Sequence, residues 1–113
     1  DKKINYILEK NFKKFQSNEN DQLNFNILTN SEKNISVLSK NTDGKVSTYN
    51  IEVIIELEIY KNQKMINSAI FKEKTNYDNL SSKFELKQYE NILLKDLVNQ
   101  IILKINNYIN TLK

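Results

Sequence analysis

Apolar positions recur along this chain at two different periods, and the switches between them mark out its elements. Ile4, Ile7, Leu8, Phe12 and Phe15 are spaced by three and four, with Lys3, Lys10, Lys13 and Lys14 largely between them. That spacing predicts an amphipathic helix of about four turns, stopped by the polar run 17–22. Leu23, Phe25 and Ile27 then alternate with Asn24 and Asn26, the period of a half-buried strand. A polar stretch at 30–34 leads into 35–38, which either continues that strand past a bulge or starts another.

Asn41, Thr42, Asp43 and Gly44 form the clearest turn signal, since Asp-Gly supplies the positive φ that tight hairpins need. After it comes a long alternation. Tyr49, Ile51, Val53, Ile55, Leu57 and Ile59 share one face, while Asn50, Glu52, Ile54, Glu56, Glu58 and Tyr60 share the other. Residues 61–64 read as a second hairpin tip and 65–77 as the returning strand. Pairing Tyr60 with Met65 would set Ile59 opposite Ile66 and Ile55 opposite Ile70. From Ser81 or Ser82 the period turns helical to about Leu112, and Ser82 followed by Glu85 is a capping-box pattern. Leu93, Leu94, Leu97, Val98, Ile101, Ile102, Ile105, Tyr108, Ile109 and Leu112 make its apolar face, with Asn91, Lys95, Asn99, Asn106 and Asn110 mostly opposite.

The expected architecture is one α+β domain over residues 1–113. It has a three- to four-stranded, largely antiparallel sheet with two helices packed on one face. The other sheet face would then carry Ile54, Tyr60 and Phe71 among charges. A one-sided antiparallel sheet in water is ordinary, and such a face is also one that a partner or lipid could cover.

Composition narrows the chemistry. Among 113 residues there is no Cys, His, Trp or Pro, and Gly44 is the single glycine. A thiol nucleophile, an imidazole base, an ordinary zinc site and a Gly-rich phosphate loop are therefore all missing. The reading is a protein that is not an enzyme and uses no cofactor or metal. The basic side chains are 17 lysines with no arginine, against 14 acids, a formal charge of +3. Together with 19 Asn and 15 Ile, the lysines fit a codon drift toward A and T, so their number is no nucleic-acid signature. Readers of nucleic acid exploit the planar fork of arginine. The aromatic residues sit at core periods rather than on a stacking platform, so no nucleic-acid partner is expected. No stretch approaches the ~18 consecutive apolar residues of a membrane span. The first residues lack the apolar core of a signal peptide. The protein is then either cytosolic or cut from a longer form that carried a targeting segment.

Three constellations remain. Glu52, Glu56 and Glu58 share a strand face, where paired carboxylates could do glycosidase or hard-metal chemistry. The plainer reading is a solvated acidic face opposite Lys72 and Lys74, with a hydrolase built on Glu56 and Glu58 kept as a rival. Lys2, Lys3, Lys10, Lys13 and Lys14 cluster on the first helix, a face that phosphates and headgroups attract but that solvent also satisfies. Lys40 and Lys45 flank the Asp43-Gly44 turn, and Lys83 lies in the first turn of the long helix, where a cation works against the helix dipole.

The order and texture of residues 35–105 resemble the LPS-assembly lipoprotein (LptE) family. The matching features are the stretch 35–60, the short hairpin, a strand ending Asn76-Tyr77-Asp78-Asn79, and the long helix with Leu97-Val98-Asn99-Gln100-Ile101-Ile102. Gly44 stands five residues before Tyr49, a spacing that family shows. The resemblance implies an outer-membrane lipoprotein on the periplasmic side with no catalytic residues. It would plug an LptD-like outer-membrane β-barrel and bind lipopolysaccharide in transit. The family's basic contacts at the turn and at the last helix correspond here to Lys40, Thr42, Lys45 and Lys83. Where the family can carry Arg at the turn this chain has Thr42, which shifts that contact to a flanking lysine or loses it. The lipid-attachment Cys, and with it the membrane anchor, and a first strand would lie upstream of this chain. The alternative is a generic periplasmic interaction module or transport-accessory lipoprotein that never touches lipopolysaccharide.

Overall fold

Three strands run back and forth beneath a long helix. A computed structural model describes residues 1–9 and 25–112. Within these, residues 2–9 are helical (α1). The strands are β1 (Phe25–Lys40), β2 (Val46–Lys61) and β3 (Lys64–Asp78), and the second helix α2 spans Lys83–Thr111. The expected helical positions Phe12 and Phe15, the stop at 17–22 and the strand position Leu23 lie outside the described residues. The sheet has the order β1-β2-β3 with both pairings antiparallel, an α+β arrangement with three strands among the described residues.

Strands of this length give the body its shape. Sixteen residues at about 3.3 Å each span roughly 53 Å, and the backbone of the described residues extends over 59 × 21 × 20 Å. The 29 residues of α2 reach about 44 Å at 1.5 Å per residue, enough to follow most of the sheet. Ser82 caps α2, its Oγ accepting from the Glu85 N–H at 3.2 Å. Alternation in β2 works as the pattern requires: Ile51, Val53, Ile55, Leu57 and Ile59 are buried against Leu94, Leu97, Val98, Ile101, Ile102, Ile105 and Ile109. Each such side chain contributes about 1.5–3 kcal/mol by leaving water.

The polar stretch at 30–34 is neither a loop nor a bulge, because β1 runs through it without a break. Thr29, Ser31 and Lys33 stand opposite Leu57, Ile55 and Val53, on the helix side of the sheet. The start of α1 rests on them. Ser31 Oγ donates to Asn5 Oδ1 at 2.6 Å, and Lys33 Nζ lies 4.0 Å from Asp1 Oδ2. Asp1 Oδ1 in turn accepts from the Lys3 and Ile4 N–H groups at 2.9 and 3.2 Å, capping the helix. The irregularity in β1 falls later, between Val37 and Lys40.

The β2–β3 register departs from the expected one. Tyr60 does pair with Met65, but Ile59 faces Asn67 and Ile55 faces Phe71, because the ladder shifts by one residue just after the tip. A single extra residue reverses every later side chain. Phe71 therefore lies on the helix side, edge-on to Tyr108 with ring centroids 5.8 Å apart, and not on the open face. Ile70 takes the open position and is 61% exposed. The tip itself is a two-residue turn in which Asn62 and Gln63 both have positive φ, 53° and 67°, the geometry that matches strand twist. Two other expectations change as well. Tyr6 and Phe84 are surface residues, not core ones. Asn91 is half-buried at the α1 side of α2, where it accepts from Lys3 Nζ at 3.0 Å.

Candidate functional site

The β1–β2 turn is built by one asparagine. Asn41 Oδ1 accepts from the Asp43 and Lys45 N–H groups, each at 3.0 Å, while its backbone exchanges bonds with Lys45 and Gly44. Closing the loop this way needs a left-handed residue, and Gly44 supplies it at φ 80°. Lys40 ends β1, and Thr42 and Lys45 lie on the turn; all three are exposed.

Lys83 arrives at the same end of the body by a different route. Thr48 pairs with Asp78, so the segment after β3 runs beside the root of the turn. Asn79 fixes it there, its N–H donating to the Ser47 carbonyl and its Nδ2 to the Val46 carbonyl, both at 2.9 Å. Ser82 then opens α2, and Lys83, its first residue, is exposed. The four residues singled out from sequence thus gather at one pole of a 59 Å rod. Acids share that pole: Asp43, Asp78 and Glu85 stand near Lys40, Lys45 and Lys83, so its charge is close to balanced. Apolar side chains are exposed there too, notably Val37, Leu38, Leu80 and Phe84, the last at 71%. A charged rim beside exposed apolar groups suits an amphiphile or a protein surface better than a small polar substrate.

Beneath this pole lies an aromatic stack that periodicity alone does not single out. Tyr49 stacks on Tyr77 at 5.5 Å, and Tyr89 of α2 meets Tyr77 edge-on at 6.1 Å. The Tyr77 hydroxyl donates to Glu90 Oε2 at 2.5 Å. Burial, then that hydrogen bond and the nearby carboxylate charge, push the phenol well above its usual range. The start of α2 is thereby held to β3.

Along the acidic face of β2 the neighbouring strand sets a lysine opposite Glu52 alone. Glu52 stands opposite Lys74, Ile54 opposite Lys72, and Glu56 opposite Ile70. Glu58 Oε2 accepts from the Tyr60 hydroxyl at 3.0 Å, and that bond raises the phenol of Tyr60. Among the described residues no three acidic side chains converge as a metal cluster. No described helix is long and apolar enough to cross a membrane.

Neither a family model nor a curated protein matches the chain. Among solved structures the chain is similar to the crystal structure of the rare lipoprotein B from Shewanella oneidensis, at 15% identity with a TM-score of 0.71. The match covers 88% of this chain and 81% of that one. At such identity the likeness lies in the fold, which is LptE-like.

Proposed function

We propose that the protein is a non-enzymatic component of lipopolysaccharide transport and outer-membrane assembly. It works from the periplasmic side of the outer membrane, plugging an LptD-type β-barrel and binding lipopolysaccharide. The observation that carries this reading is the shared fold with rare lipoprotein B, also called LptE. The gathering of Lys40, Thr42, Lys45 and Lys83 at one pole supports it further. Lipid A carries phosphates, and ammonium groups on a closed turn and a capped helix start can hold them by charge-assisted hydrogen bonds. The exposed Val37, Leu38 and Phe84 beside them would meet acyl chains. A rod 21 × 20 Å in cross-section suits the lumen of the largest barrels, whose interiors are wide enough to hold a plug.

Direct binding of lipopolysaccharide to the chain and to the Lys45→Glu/Lys83→Glu variant tests the lipid half of the reading. Loss of affinity with an unchanged melting temperature supports it, and equal affinity removes those two lysines from the account. Co-purification with an outer-membrane β-barrel tests the other half.

The near balance of charge at the pole favours a second reading. A generic periplasmic interaction module, or transport-accessory lipoprotein, would present the same apolar groups to a protein and never touch lipopolysaccharide. Retrieval of a partner that is not a barrel, together with no lipopolysaccharide binding, selects this one.

A further inference from the structure

A second surface lies between α1 and α2, away from the turn pole. Ile4 and Leu8 of α1 are fully buried in the core shared with α2. Above that seam a groove of about 440 Å³ stays open. Its floor is apolar: Ile7 of α1 is half-buried there, Leu94 of α2 lies beneath it almost wholly buried, and Tyr6, 66% exposed, stands along one wall. Its rim is cationic: Lys2 and Lys3 come from α1 and Lys95 from α2.

No carboxylate lines the groove among the described residues. Lys3 donates to Asn91 Oδ1 at 3.0 Å, which uses one of its three N–H donors. Lys2 and Lys95 have no ion-pair partner among the described residues. Three ammonium groups around an apolar trough select for a ligand with one anionic end and a long apolar body. A single alkyl chain matches the groove in size, since about 14 heavy atoms at the ~30 Å³ share of a water molecule equal its volume.

We propose that the α1–α2 groove binds a single-chain carboxylate amphiphile, a long-chain fatty acid. Its alkyl chain lies along Tyr6 and Ile7 above Leu94, and its carboxylate sits among Lys2, Lys3 and Lys95. The site stands apart from the turn-pole lysines and does not rest on the reading of the protein as a lipopolysaccharide carrier.

Titration of the chain with tetradecanoate below its micellar concentration, followed by calorimetry and backbone amide shifts, tests this. Saturable binding with shifts at Tyr6, Ile7, Asn91 and Lys95 is expected. Tetradecanol and tetradecyltrimethylammonium are expected to bind at least about tenfold more weakly, because each loses the charge-assisted contacts. The Lys2→Glu/Lys95→Glu variant should lose about tenfold in affinity, and Lys45→Glu/Lys83→Glu should change it less than twofold. Should the first double variant unfold, Lys95→Gln serves in its place with a few-fold loss. Equal binding of the neutral or cationic amphiphile, shifts confined to the turn pole, or full affinity in a folded groove variant would overturn the proposal.

Discussion

The hydroxyl of Tyr77, at the end of β3, donates to Glu90 in the second turn of α2 across 2.5 Å. Because the phenol is raised above its unfolded value, the folded state favours the protonated form. Its stabilising effect is complete below pH 10, where the unfolded phenol titrates, and fades as pH climbs from there toward the folded value. Thermal melts at pH 8 and at stepwise higher pH should show the wild-type chain losing stability faster than Tyr77→Phe. Parallel pH curves for the two would rule this coupling out.

Ile70 and Phe71 are adjacent, yet the shifted ladder gives them opposite surroundings. Ile70→Lys should change stability by less than about 0.5 kcal/mol, as exposed substitutions do. Phe71→Ala should cost more than 1 kcal/mol through lost contact with Tyr108. Urea unfolding of the two variants measures this, and the reverse ranking would restore the register in which Ile70 is inward.

Gly44 holds φ 80° with open space around the position of a Cβ, so a substitution meets no clash but does meet backbone strain. Gly44→Ala should lower stability by about 1–2 kcal/mol, read as a lowered denaturation midpoint with an unchanged slope.

Ile101 is fully buried midway along α2, between that helix and the sheet. Ile101→Ala should cost about 2–5 kcal/mol. A loss much below that range would mean that the helix does not roof β2 as described.

The reach of sequence reasoning differs from element to element. The strand from Tyr49 to Ile59 is legible because one of its faces is buried along its whole length, so burial writes a strict period of two. The long helix is legible for the same reason at the helical period, and its cap at Ser82 is local chemistry. By contrast, Ser31 and Lys33 look like loop residues, because their polarity serves the start of α1, 26 residues or more away in sequence. The bulge near Ile66 leaves no mark either: Ile66 and Ile70 fit an inward period as well as Phe71 does, and only the packed ladder chooses between them. Lys40, Thr42, Lys45 and Lys83 are legible as polar residues near turns. Their assembly at one pole depends on Asn79, which no periodicity singles out.

That asparagine ties together two loops 33 residues apart in sequence, through the Val46 carbonyl, and a second bond to Ser47 prevents pivoting about the first. Whatever grips both the hairpin and the helix start meets jaws already set at a fixed gape. Loosening the hinge by Asn79→Ala would leave each jaw intact while adding an entropic toll to every capture that needs both.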